Sequence, residues 1–226
     1  MKLIESINYI YDKQAQSFEE MKGAFVVTEE NDPQTTFKKL TVHKKGCQFF
    51  VVKPPFYTGI SATTSDRSSV LKDSSCDGIA ISETDGYYTF YFIELKSRFR
   101  EATIRKAFTQ IFFSFIKMHM MLGLSHGYKP EKSIFDFFVA CSPPENQDRT
   151  TEIMHWIQLY EEKNMDDVII KCIKEFFFGK KKYSCIVRDM NFADMKHFNE
   201  NFQNIQVRLN IYTPGTFKQT EGLLEL

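Results

Sequence analysis

Residues 77–96 read DGIAISETDGYYTFYFIELK, two strand-like runs that flank an Asp-Gly pair. Asp-Gly in this setting is the strongest short signal for a β-hairpin, because both central residues of a type I′ turn need positive φ angles. With Asp85-Gly86 as the loop, Thr84 pairs with Tyr87, and the turn sets the register of the remaining pairs. This stretch therefore predicts an antiparallel hairpin of defined register.

The predicted register brings two acids together at the open end of the hairpin. Asp77 lies opposite Glu94, and directly opposed residues have Cβ atoms about 4.5–5.5 Å apart on one face of a sheet. Two like charges at that spacing repel, and a divalent cation would offset the repulsion. Lys96 shares the face of Glu94, because side chains alternate along a strand. Two carboxylates with the carbonyl of Leu95 between them suit Mg²⁺ or Mn²⁺.

This set of groups has the composition that phosphodiester hydrolysis needs. A divalent cation at such a site binds a phosphate oxygen, neutralises developing charge and lowers the pKa of a bound water. The Lys96 ammonium would orient that water or stabilise the transition-state charge. Metal-assisted hydrolysis of a phosphodiester is therefore the chemistry that these residues predict.

The periodicity of apolar residues predicts the other elements. Helices are expected over residues 3–22, 101–123, 150–163, 165–178 and 191–202. Besides the hairpin strands at 77–82 and 87–96, strands are expected over residues 24–28, 39–43, 47–52, 134–141, 183–188 and 206–212. A Lys-Lys-Gly turn is expected to join 39–43 to 47–52, and the Ser- and Thr-rich residues 56–75 predict a long loop. This order of elements indicates one α/β domain with a C-terminal extension.

The predicted helix over residues 101–123 carries two stripes. Apolar residues recur every three or four positions and predict a buried face, formed by Ile104, Phe108, Ile111, Phe115, Met118 and Leu122. Polar residues form a stripe that is expected on the opposite side, consisting of Lys106, Gln110, Ser114 and Lys117. Gly123 is expected to end the helix.

The chain resembles the PD-(D/E)XK nuclease superfamily, which includes restriction endonucleases. The resemblance is carried by residues 76–79 (CDGI), by residues 92–97 (FIELKS) and by Gln110 on the helix that follows. It implies a restriction-endonuclease-like αβββαβ core with a mixed central sheet flanked by helices, over about residues 1–145. A C-terminal α/β extension would cover about residues 146–226 of the single 226-residue domain.

The resemblance also implies roles for individual residues. Asp77 and Glu94 would hold the metal, Lys96 would be the catalytic lysine, and Gln110 would be a polar catalytic residue beside the site. Many members carry a further acid on the first helix, for which Glu19 and Glu20 are both available. One departure is that Cys76 precedes the aspartate where members often have proline.

Charge is balanced in total and uneven along the chain. Lys and Arg together number 29, as do Asp and Glu, yet residues 96–106 carry five basic residues and one acid. A local field of this kind permits binding of a polyanion despite a neutral total. Phosphate contacts are therefore expected from Arg98, Arg100, Arg105 and Lys106, without readout of sequence.

The cysteines and the hydropathy indicate in which cellular compartment the protein is expected. The five Cys are scattered and contain no CxxC pair, which argues against a disulfide framework or a structural zinc site and favours the cytoplasm. No run of 18 consecutive apolar residues occurs, so no membrane span and no membrane partner are expected.

The expected function is a Mg²⁺- or Mn²⁺-dependent nuclease, most simply a DNA endonuclease. A role in defence against phage or other foreign DNA follows from the resemblance alone. The alternative is a non-catalytic subunit that binds nucleic acid or protein within a larger complex and keeps a vestigial site. The sequence leaves open whether the substrate is DNA or RNA and whether it is single- or double-stranded. It also leaves open whether the protein forms a homodimer and whether activity needs a protein partner.

Overall fold

The computed structural model describes residues 2–11, 18–29, 36–53 and 75–226. The α-helices are α1 (Lys2–Tyr11), α2 (Glu101–Leu122), α3 (Gln147–Glu162), α4 (Val168–Phe177) and α5 (Glu200–Gln203). The strands are β1 (Phe18–Thr28), β2 (Lys39–Val52), β3 (Gly78–Thr84), β4 (Tyr87–Lys96), β5 (Ser133–Cys141), β6 (Tyr183–Ile186), β7 (Gln206–Tyr212) and β8 (Glu221–Glu225). Short 3₁₀ turns cover Pro130–Lys132, Val187–Met190 and Met195–His197. Apart from Ser75, the predicted loop over residues 56–75 lies outside the described residues.

The described strands form one mixed sheet, as an α/β fold requires. The order is β1-β2-β3-β4-β5-β7-β6, and β8 pairs with β2. Strands β1 to β4 are antiparallel neighbours, whereas β5 runs parallel to both β4 and β7. A parallel pair needs a long crossover, and α2 supplies it between β4 and β5.

Alternation along β4 divides the core into two clusters. Phe90 and Phe92 belong to a buried cluster that includes apolar side chains from all five α-helices. Tyr91 and Ile93 belong to a second cluster, on the opposite face, with residues from β1 and β2. A strand covered on both faces reads as a nearly continuous apolar run, as residues 88–95 do apart from Thr89 and Glu94.

The predicted hairpin is confirmed, including its register. Thr84 pairs with Tyr87, and the ladder continues in the same register to Gly78 opposite Ile93. Asp85 and Gly86 have φ angles of 52° and 79°, as a type I′ turn requires.

The predicted helix over residues 3–22 is wrong for residues 18–22, and its residues 12–17 lie outside the described residues. Residues 18–28 form β1, where Phe25 and Val27 are buried while their neighbours are more exposed. This alternation lets β1 pair with β2, and tertiary pairing of this kind overrides weak local helix propensity. Gly23 lies within β1 with a φ of 75° at an irregularity of the β1–β2 pairing.

The two predicted strands at 39–43 and 47–52 are parts of the single strand β2. They do not pair with each other, because both pair with β1. The pairing shifts between Lys22 opposite Gln48 and Ala24 opposite His43, so the expected Lys-Lys-Gly turn is a bulge in β2. Gly46 supports this irregularity with a φ of 73°.

The polar stripe of α2 was expected on an exposed side of the helix, but most of it is not exposed. The apolar stripe is buried as predicted, but Ser114 and Lys117 are also fully buried. Only Lys106 of the polar stripe is exposed, and Gln110 is half-buried. The reason is that this side of α2 faces the segment before β3, where Ser114 accepts a hydrogen bond from the Cys76 N–H at 2.8 Å.

The C-terminal part follows the prediction in outline. The helices expected at 150–163 and 165–178 are α3 and α4, and the strand at 206–212 is β7. The strand expected at 183–188 stops at Ile186 and continues as a 3₁₀ turn, and the helix expected at 191–202 is reduced to a 3₁₀ turn and the short α5. The five residues of β8 were not predicted.

Candidate active site

Asp77 lies where the two strands of the hairpin stop pairing. The β3–β4 ladder ends at Gly78 opposite Ile93, so Asp77 is one residue beyond it. Its Oδ2 accepts a hydrogen bond from the Leu95 N–H at 2.6 Å. This bond holds the Asp77 carboxylate against the end of β4, close enough for its charge to interact with that of Glu94.

Glu94 is a fully buried acid near the end of β4. Its Oε1 forms an ion pair with the Nζ of Lys96, which shares its face of the strand. Its Oε2 is buried and has no hydrogen-bond partner among the described residues. A buried carboxylate oxygen without a donor is unfavourable, so the site is suited to a proton or a cation at that atom.

The two acids hold protons more tightly than acids in water. Burial, followed by the charge of Glu94, raises the pKa of Asp77 to about 9, although the Leu95 N–H opposes this shift. Burial raises the pKa of Glu94 to about 7, and the Lys96 ammonium limits that rise. Raised pKa values of neighbouring acids are typical of functional sites, where a cation or a substrate completes the charge balance.

A third acid, Glu29, joins the site from β1. It follows the last residue of that strand, and its N–H donates to the Lys38 carbonyl at 3.0 Å. Its carboxyl group hydrogen-bonds to Asp77, and its charge helps to raise the pKa of Asp77 and of Glu94. The sequence signal was an acid directly after a strand-like run, but the pairing with β2 that carries it to Asp77 is not visible locally.

The two acids expected on the first helix lie elsewhere. Glu19 and Glu20 are on β1 and are exposed. Glu20 Oε2 accepts a hydrogen bond from the Gln48 side chain at 2.9 Å. Neither of them lies on α1, and the acid that β1 contributes to the site is Glu29.

Gln110 lies on the side of α2 that faces the segment before β3. It is one helical turn before Ser114, and its backbone carbonyl accepts a hydrogen bond from the Ser114 hydroxyl at 3.1 Å. The Gln110 Oε1 is buried and has no hydrogen-bond partner among the described residues. The side chain thus has an unused acceptor, although its contact with Asp77 or Glu94 stays a prediction.

The basic residues after the site divide into two groups. Arg98, Arg100 and Lys106 are exposed. Arg105 pairs with Glu101 at 2.6 Å and with Asp167 at 2.8 Å, and Asp167 caps the N-terminus of α4. Arg105 therefore joins two helices. Arg98, Arg100 and Lys106 are the basic residues that present their charge to solvent.

The donor set fits a divalent cation that keeps much of its water. Within the described ranges, no group of three or more His, Cys, Asp or Glu side chains is arranged to hold a metal ion. Mg²⁺ is usually held by one or two carboxylates, with waters and substrate phosphates as the other ligands. Asp77 and Glu94 match that pattern, and the Glu94 Oε2 without a partner is the atom that most favours it. The side chain of Leu95 is buried on the other face, so only its backbone is near the site.

Comparisons with known proteins find no significant similarity. No family model matches it. No curated protein and no solved structure is significantly similar to it. None of the helices in the described ranges is both long enough and apolar enough to cross a bilayer.

Proposed function

We propose that the protein is a metal-dependent nuclease that hydrolyses phosphodiester bonds, with DNA as the substrate. The observation that carries the proposal is the meeting of Asp77, Glu94 and Lys96 at the open end of one hairpin. Two acids with raised pKa values and an amine on one strand face are the groups that a phosphodiesterase needs around its metal.

Each of these residues has a distinct part in the proposed reaction. Asp77 and Glu94 would hold Mg²⁺ or Mn²⁺, with the Leu95 carbonyl as a third ligand. The ion would supply charge neutralisation at the phosphate and a nucleophile near neutral pH. Lys96, released from Glu94 Oε1 as the cation takes up the carboxylate charge, would orient the attacking water. Gln110 would offer its buried acceptor to the same water or to the substrate.

The order of elements supports a restriction-endonuclease-like core. Strands β2, β3 and β4 are consecutive and antiparallel, and α2 then leads to the parallel strand β5. We propose that these elements and α1 correspond to the αβββαβ core, with β1 as an added edge strand. The elements from α3 onward would form the extension.

The exposed charges favour a polyanionic substrate. Arg98 and Arg100 lie just after Lys96 in the chain, and Lys106 lies on the first turns of α2. Their side chains are exposed, so they would contact the phosphates on either side of the bond being cut. A homodimer would bring two such sites to the two strands of a duplex.

The direct test is a cleavage assay with plasmid, linear duplex, single-stranded DNA and RNA. Each substrate is incubated with Mg²⁺, Mn²⁺ or EDTA. We expect cleavage with either metal and none with EDTA. Glu94→Gln or Lys96→Ala should lower the rate by about 10²-fold or more, as loss of a catalytic group does.

Glu83→Gln is the matched control, because Glu83 is on β3 of the same hairpin but near its turn. This variant should cut as fast as the parent. A well-folded Glu94→Gln protein with parental activity would contradict the proposal.

Metal binding separates the nuclease from the non-catalytic alternative. Calorimetry with Mn²⁺ should give heat that Asp77→Asn abolishes. A parent protein that binds nucleic acid but neither binds Mn²⁺ nor cuts would instead support a subunit with a vestigial site. Cleavage that begins only on addition of a protein partner would indicate a nuclease that acts within a complex.

A further inference from the structure

The backbone before Asp77 receives support from outside the hairpin. Asp77 lies beyond the last residue pair of the β3–β4 ladder, and the β2–β3 ladder ends at Ile79. Its own carboxylate is bonded to the Leu95 N–H, but that carboxylate is also a proposed metal ligand. Whatever fixes the main chain before Asp77 therefore helps to fix the position of the ligand.

Helix α2 provides that support through two buried side chains. Ser114 Oγ accepts a hydrogen bond from the Cys76 N–H at 2.8 Å. One turn further along the helix, the Lys117 Nζ donates to the Ser75 hydroxyl at 3.4 Å. Both side chains are fully buried, so neither bond competes with solvent.

The Ser114 hydroxyl is oriented for this task. It donates its hydrogen to the Gln110 carbonyl at 3.1 Å, four residues back along α2. A hydroxyl has one donor, so this bond turns the oxygen lone pairs outward from the helix. The acceptor that meets the Cys76 N–H is thus held in place by the helix backbone.

We infer that Ser114 is a positioning residue, which fixes the Ser75–Asp77 segment on α2 so that Asp77 meets Glu94 at the metal site. The inference rests on the proposed function. It adds that metal affinity depends on a helix hydroxyl that is itself not a ligand. Loss of an outer partner of this kind typically costs about 10- to 100-fold in metal affinity.

The experiment measures Mn²⁺ binding by calorimetry in four proteins: the parent, Ser114→Ala, Ser114→Thr and Thr109→Ala. Thr109 is the matched control, because its hydroxyl also donates four residues back, to the Arg105 carbonyl, on the same helix. Ser114→Ala should raise the Mn²⁺ dissociation constant by about 10-fold or more. Ser114→Thr, which keeps the hydroxyl, should restore the affinity, and Thr109→Ala should bind as the parent does.

A second measurement, amide hydrogen exchange, has one outcome that needs no variant. The Cys76 amide in the parent should exchange slowly with solvent deuterium, since its bond to Ser114 is buried. In Ser114→Ala the same amide should exchange faster, while amides in the middle of β4 keep their protection. Rapid exchange at Cys76 in the folded parent would overturn the inference without any variant.

The remaining outcomes are distinct. Equal Mn²⁺ affinity in the parent and in Ser114→Ala overturns this inference alone. So does an equal loss in Thr109→Ala, which would make the effect a general one of α2. A parent that binds no Mn²⁺ overturns the proposed function, and this inference with it.

Discussion

Glu94 combines full burial with a charge that is compensated mainly by one basic neighbour. Lys96 is that neighbour, and its side chain is 18% exposed whereas that of Glu94 is 1% exposed. Removal of one member of a buried pair leaves the other charge without compensation, which costs more than the pair contributes. The Lys96 ammonium is therefore needed for stability as well as for the proposed reaction.

Lys96→Met should destabilise the protein in a pH-dependent way. The effect should be small at about pH 5, where Glu94 is protonated, and about 1–3 kcal/mol at about pH 8, where a carboxylate would be buried without a partner. Chemical unfolding at the two pH values measures the difference. In the Glu94→Gln background the cost of Lys96→Met should be the same at both pH values, and a cost that still rises with pH there would contradict this explanation.

The raised pKa values of the two acids predict how stability varies with pH in the absence of metal. The pKa of Glu94 is about 7 against an ordinary 4.5, and that of Asp77 is about 9 against 3.8. The folded state thus binds more protons than the unfolded chain, so stability falls as pH rises from about 4 to about 9.

Asp77→Asn/Glu94→Gln should flatten this fall by more than about 1 kcal/mol across the window, as measured by urea unfolding. Mn²⁺ should act in the opposite sense, because it binds the deprotonated acids. Its stabilising effect on the parent should therefore increase with pH and be missing from the double variant. A Mn²⁺ effect that is constant across the window would argue against these acids as its ligands.

Strand β3 packs closely against β1 at its first residue, Gly78. A Cβ built on Gly78 would lie 2.6 Å from Cγ2 of Val27, a buried residue of β1. Gly78→Ala should consequently cost about 1–3 kcal/mol of stability through overpacking. In Val27→Ala/Gly78→Ala the cost of the second change should be smaller, and a double-mutant cycle in thermal unfolding measures that coupling. Strict additivity would show that the two side chains do not compete for space.

The connection between β4 and α2 carries the basic residues that would meet the substrate. Arg98→Ala/Arg100→Ala should weaken DNA binding and reduce its salt dependence, because each lost phosphate contact lowers the slope of log K against log salt by about 1. Arg105→Ala should instead lower the melting temperature, since Arg105 joins Glu101 to Asp167 across two helices. Fluorescence anisotropy at several salt concentrations, with melting curves as the control, tests the contrast. Equal effects of the two variants on DNA binding would contradict it.

For the whole molecule, the sequence predicts what depends on nearby residues. The hairpin, its register and the meeting of Asp77 with Glu94 follow from a two-residue loop. The buried stripe of α2 follows from its helical spacing. Glu29 could not be placed from the sequence, because it reaches Asp77 only after β1 has paired with β2. The buried state of Ser114 and Lys117 was also hidden, since both look like part of an exposed helix face until the segment before β3 packs on it.

Strand β8 is the clearest example of a long-range element. Its five residues, EGLLE, have little strand pattern of their own. They pair in parallel with residues 39–43 of β2. Gly222 is packed so closely that a Cβ would lie 2.7 Å from the Tyr212 ring and 2.9 Å from the Phe37 ring.

Deletion of residues 221–226 should lower the melting temperature by several degrees, because it leaves the first half of β2 without this neighbour. The Mn²⁺ affinity should not change, since β8 pairs with β2 and supplies none of the proposed metal ligands. Glu221→Gln/Glu225→Gln is the control. It removes only the exposed ion pairs with Lys39 and His43, which contribute little, so its melting temperature should stay near that of the parent.

The pairing of β2 with β8 also affects how the protein is made in the cell. During synthesis, Lys39 emerges from the ribosome long before Glu221, its ion-pair partner 182 residues later in the chain. During that interval the nascent chain has a bare strand edge, which is prone to pair with other chains. This edge can reach its final state only after synthesis of β8, so chaperones that shield extended segments should bind the nascent polypeptide before that point.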